Sequence, residues 1–105
     1  MADVALLCPD LLFGSKVEGA LRAAGHEVRP VATPGAAAGA ELLVIDLTSD
    51  PERRLEGLPQ VPTLAFYSHV EGDVRRLAEA AGVDLVVPRS RMAREGAQLV
   101  QSMVG

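Results

Sequence analysis

The chain has 105 residues, of which 49% are hydrophobic but only 3% aromatic, and its formal net charge is −4. That length suits one domain closing a single, aliphatic core. The negative balance and the scarcity of rings argue against a protein held to nucleic acid by phosphate electrostatics or base stacking.

The opening MADVALLC carries Asp3 and no basic n-region, so it reads as a first strand and not as a secretory signal. No apolar stretch approaches the ~18–20 residues that span a bilayer. The single cysteine, Cys8, has no partner for an internal disulfide and suits a reducing compartment. The expectation is a cytoplasmic protein with neither a membrane nor a nucleic-acid partner.

VALLC (residues 4–8) is the first strand-like run. Phe13, Val17, Ala20, Leu21 and Ala24 then follow the i, i+3, i+4 spacing of a helix that Gly25 can end, with either Asp10 or the Ser15-x-x-Glu18 capping box at its start. EVRPV (27–31) alternates and contains Pro30, which predicts an edge strand. His26, just before it, is expected in an exposed turn. TPGAAAGA (33–40) is too rich in Gly and Pro for a full helix and predicts a loop or one short turn.

LLVID (42–46) is a buried strand ending on Asp46, after which Asp50 is placed to cap a short helix with Pro51 in its first turn, over by Gly57. TLAFY (63–67) is the fourth strand. Val70, Val74, Leu77, Ala78 and Ala81 form the stripe of the next helix, which Gly82 stops, and DLVV (84–87) is the fifth strand. AAGHEV and AAGVDLV are one helix-to-strand device used twice. Met92, Gly96, Leu99, Val100 and Met103 mark the inner face of a closing helix.

Continuous apolar strands alternating with helices imply a parallel sheet covered on both faces. Right-handed crossovers then gather the loops at residues 8–10, 46–50, 67–69 and 88–90 at the carboxyl ends of the strands, where ligands of such folds bind.

With LLVID, VPTLAFYSH, GVDLVVPRS and the Asp10-to-Gly25 spacing, the chain resembles over its whole length the receiver domain of bacterial response regulators. The resemblance implies a flavodoxin-like three-layer α/β sandwich with a five-stranded parallel sheet in the order 2-1-3-4-5, residues 1–105 making one receiver-like domain. In that family an acidic pair after the first strand holds Mg²⁺ and the Asp after the third accepts a phosphoryl group. A Thr or Ser after the fourth strand and a Lys after the fifth complete the pocket. The metal and the cation are needed because a carboxylate attacks an anionic phosphoryl group only when the gathering charge is neutralised.

Mapped onto this chain, Asp46 is the phospho-acceptor position, the acidic pair falls on Cys8 and Pro9 with Asp10 following, the Thr position falls on Tyr67 or Ser68, and the Lys becomes Arg89. Pro9 offers no side-chain ligand and a neutral thiol is a poor one for Mg²⁺. The mapping therefore implies a pseudo-receiver: a non-catalytic signalling and interaction module without a cofactor. The alternative is a genuine phosphoryl-accepting response regulator of a two-component phosphorelay, with Mg²⁺ on Asp10 and Asp46.

Each residue also has a plainer reading. Asp46 can hydrogen-bond its own turn, LTSDP, and Asp10 can serve as a helix cap. Cys8, Gly14 and Ser15 form a C-x5-G-S pattern similar to the cysteine loops of low-molecular-weight tyrosine phosphatases and of cysteine phosphocarriers, a further alternative. Against it, no Arg stands at Gly14, and Leu11, Leu12 and Phe13 want burial; an inert, buried thiol is the simpler reading. His69 lies at the loop end and is expected to be exposed. Arg75, Arg76, Arg91 and Arg94 crowd the helices around the fifth strand, a partner-binding or homodimer surface by the family analogy, or a solvated helix face.

Overall fold

In a computed structural model that describes residues 2–68 and 72–104, five parallel strands alternate with helical connections. The strands are β1 (Asp3–Leu7), β2 (Glu27–Pro30), β3 (Leu42–Asp46), β4 (Thr63–Tyr67) and β5 (Leu85–Pro88). They form one sheet in the order β2-β1-β3-β4-β5, as expected. β2, the Pro-bearing strand, lies at an edge, where a missing ladder N–H is tolerated.

The two faces are covered unequally. On one, α1 (Leu11–Ala23) and the closing α4 (Arg89–Val104) pack Phe13, Val17, Leu21, Met92, Leu99 and Val100 against Val4, Leu6, Val44, Leu64 and Phe66. The other carries, among the described residues, only a 3₁₀ turn (Pro34–Ala37), the single-turn α2 (Pro51–Arg54) and α3 (Gly72–Ala80) over Ala5, Leu7, Leu43, Ile45, Ala65 and Tyr67. The Gly- and Pro-rich 33–40 segment thus makes the short turn its composition predicts.

Asp10, not Ser15, starts α1: its Oδ1 accepts hydrogen bonds from the N–H groups of Leu12 and Phe13, both at 3.1 Å. Ala20 and Ala24, expected on the inner face, are exposed, because Phe13, Gly14, Val17 and Leu21 set the buried arc. In α3, Val74 and Ala78 are buried but Leu77 stays 40% exposed and Ala81 is exposed; Val70 lies outside the described residues. Asp50 does precede α2, yet its backbone is left-handed (φ 47°, ψ 50°) and its side chain caps nothing. Only its carbonyl contributes, accepting from Arg54 N–H.

The repeated helix-to-strand device is a Schellman turn in both places. Gly25 (φ 95°) and Gly82 (φ 94°) take the left-handed conformation, and the following N–H, of His26 or Val83, donates to Leu21 or Ala78 at 3.1 Å. The residue after the glycine turns inward. His26 is therefore buried, not exposed, and its Nδ1 accepts from Ala2 N–H at 3.2 Å.

Two glycine substitutions test this account with opposite signs. Gly19 lies exposed in mid-α1 with open space around it, so Gly19→Ala should raise stability by about 0.5–1 kcal/mol. Gly25→Ala, forced into a left-handed conformation, should lower it by about 1 kcal/mol or more. Urea unfolding of both variants is the check.

Candidate functional site

Register alone brings the first and third loops together. Leu7 pairs with Ile45, so the next residues, Cys8 and Asp46, stand side by side at the carboxyl edge of the sheet. The alternation of a strand sets their facing: Val44 packs under α1 and α4, Ile45 on the other side, and Asp46 returns to the α1/α4 side.

Asp46 is only 2% exposed. A buried carboxylate needs hydrogen bonds, and its own turn supplies them. Oδ1 accepts from Thr48 N–H at 2.8 Å and from Thr48 Oγ1 at 2.6 Å, while Oδ2 accepts from Cys8 Sγ at 3.5 Å. Burial, and after it the charge of Asp46, pushes the Cys8 thiol up to about 12. The thiol is thus a donor to Asp46, and the low pKa of an activated nucleophile is not found.

Asp10 and Arg89, 79 residues apart, close the loop end. While Oδ1 of Asp10 caps α1, its Oδ2 accepts from Arg89 Nη2 at 2.9 Å. The Phe13 amide first, and then Arg89, hold the Asp10 carboxyl below its ordinary value. Arg89 also lies over the Phe13 ring, with Cζ 4.2 Å from the centroid, and Phe13 leans on Phe66 at 5.1 Å.

Of the two residues weighed for the fourth loop, Tyr67 turns to the opposite face of the sheet and is buried there. Ser68 faces a hollow of about 410 Å³ that Phe13, Thr48, Arg89, Ser90 and Ala93 also line. So Cys8, Asp10, Asp46, Ser68 and Arg89 gather at one end, Tyr67 does not join them, and His69 lies outside the described residues. Among the described residues no group of three His, Cys, Asp or Glu side chains is placed to hold a metal ion.

The plainer reading of Asp46 holds: its closest partner, Thr48, is the i+2 residue of an Asx turn within LTSDP. Leu11 and Leu12, expected inside, are 83% and 88% exposed beside the Asp10–Arg89 pair. Once Asp10 caps α1, the inward arc falls to Phe13 and Gly14.

Solved structures share this architecture. A response regulator receiver protein from Burkholderia phymatum superposes with a TM-score of 0.76 at 18% identity, covering 100% of this chain and 96% of its own. The fold is that of a response-regulator receiver. A response regulator from Thermotoga maritima gives a TM-score of 0.74 at 15% identity over 99% of this chain and 98% of that one. The non-phosphorylated HemR receiver domain from Leptospira biflexa gives 0.76 at 16% over 100% and 95%. No protein-family model and no curated protein matches the sequence. In this receiver-like chain, no helix among the described residues is long and apolar enough to cross a membrane.

The thiol provides a direct check on the loop-end geometry. A pKa of about 12 against the ordinary 9.0 lowers the thiolate fraction about 1000-fold, partly offset by the greater nucleophilicity of a more basic thiolate. Iodoacetamide should therefore alkylate folded Cys8 roughly 30- to 100-fold more slowly than the urea-unfolded chain at pH 8. The raised pKa also ties stability to pH: this contribution is complete below the ordinary thiol value and is lost as pH rises toward about 12. Cys8→Ala should abolish that alkaline slope.

Proposed function

We propose that this receiver-like chain is a pseudo-receiver: a non-catalytic cytoplasmic signalling module that acts by protein contact without depending on phosphorylation of Asp46. The observation that carries the reading is the commitment of both loop-end carboxylates to internal partners. Asp46 is held by Thr48 and Cys8, and Asp10 by the α1 amides and Arg89.

The residues present do not fit Mg²⁺. That ion demands near-octahedral oxygen coordination. Here the third neighbour is a protonated thiol, Pro9 has no side-chain donor, and an arginine already occupies the free oxygen of Asp10. Arg89, paired with Asp10 and stacked on Phe13, is held away from the single role of neutralising a phosphoryl group on Asp46.

A protein partner is supported by the exposed Leu11 and Leu12 at the same end. Arg75, Arg76, Arg91 and Arg94 remain a second contact surface in this reading, for a partner or for another copy of the chain. Each is ion-paired with an acid on its own helix, at exposed positions where such pairs contribute only about 0–1 kcal/mol. Exchange for a partner's carboxylates costs little.

Incubation with acetyl phosphate and Mg²⁺, followed by intact-mass measurement, tests the reading. The expected result is no phosphoryl adduct on the wild-type chain. An adduct that forms on the wild type and disappears in Asp46→Asn would make the protein a genuine phosphoryl acceptor instead.

A further inference from the structure

The chain's cations are nine arginines and one lysine. Arg22, Arg29, Arg75, Arg76, Arg89, Arg91 and Arg94 are each ion-paired. The remaining two, Arg53 and Arg54, have no acidic partner among the described residues, and both line one hollow of about 550 Å³. It lies on the face opposite Asp46, beneath the place where the connection after β2 makes only a 3₁₀ turn.

Asp50 and Glu56 line the same hollow. Asp50 and Glu56 stand four and three residues from Arg54 and Arg53, but Asp50 is left-handed and Glu56 lies beyond the single turn of α2, so neither has the helical geometry in which such spacings pair, as Asp73–Arg76 and Arg75–Glu79 do within α3. Around the hollow neither pair forms: Arg54 donates to Ser49 O at 2.9 Å and to Ser49 Oγ at 3.3 Å, and Arg53, Asp50 and Glu56 have no side-chain partner among the described residues. Two cations and two anions thus face one cavity without neutralising each other. Ala32 and Pro34 give it an apolar side.

We propose that this hollow binds a small zwitterion of the amino-acid type with an apolar side chain. The planar forks of Arg53 and Arg54 suit its carboxylate, Asp50 and Glu56 its ammonium group, and Ala32 with Pro34 its side chain. The volume lies within the range of ligand pockets. The proposal is independent of the role of Asp46, since no residue of the loop-end cluster lines this cavity.

Amide NMR titrations with L-leucine, N-acetyl-L-leucine and L-leucine methyl ester at one ionic strength test it. L-leucine should give saturable shifts at Gly35, Arg53, Arg54 and Gly57. The two blocked analogues, each lacking one charge, should bind about tenfold more weakly or worse. Arg53→Gln and Glu56→Gln, both at exposed positions, should each weaken binding about fivefold while leaving the remaining spectrum unchanged. Absence of saturation at millimolar L-leucine overturns the proposal. So does equal binding of N-acetyl-L-leucine, which would indicate a plain anion site, or binding that neither variant alters.

Discussion

A carboxylate buried at the end of a strand must find hydrogen bonds or lose its charge, and the arrangement of the whole loop end follows from how Asp46 meets that demand. Thr48 satisfies one oxygen through two donors, which fixes the turn after β3. Cys8 satisfies the other, which requires the thiol to keep its proton. A residue that would carry a nucleophile's lone pair in one kind of protein is here a hydrogen-bond donor. The same economy appears one step outward, where Asp10 divides its two oxygens between the start of α1 and Arg89. Each carboxylate thus has a different donor for each of its two oxygens, and loss of Cys8 or Arg89 would leave one oxygen of Asp46 or Asp10 without its protein partner.

The second organising constraint is the unequal cover of the sheet. Two long helices seal one face, and the loop-end cluster sits on that side because Asp46 points there. On the other face the connections after β2 and β3 form only a 3₁₀ turn and a single-turn helix, and residues of both line the hollow. The receiver fold therefore offers two distinct surfaces at its carboxyl end, one closed by internal pairing and one open.

Most of the architecture was legible because it rests on local rules. Apolar strand runs, the glycines that end helices and the proline that marks an edge strand are signals carried by a few adjacent residues, and the sheet order matched them. Where structure and expectation differ, the deciding neighbour is distant or lies in the second use of the same device. Alone, His26 is a polar turn residue, yet the repeated AAG device aligns it with Val83, which also turns inward after its glycine. Leu11 and Leu12 are apolar, but the sequence leaves the start of α1 open between Asp10 and Ser15, and only with Asp10 as the cap does the inward arc fall to Phe13 and Gly14. The Asp10–Arg89 pair spans 79 residues and leaves no mark in local pattern; only the convergence of the loops suggested that the two were close. The division between Tyr67 and Ser68 follows from strand alternation once the facing of Asp46 is known.

The most direct measurement is an amide NMR titration with micromolar Mn²⁺, a paramagnetic stand-in for Mg²⁺ that broadens only what lies near it. If the loop-end carboxylates are committed as described, signals around Asp10, Asp46 and Ser68 should broaden no more than those of exposed acids elsewhere, such as Glu52. Selective broadening centred on Asp46, reversed by excess Mg²⁺, would contradict the account and restore a working metal site.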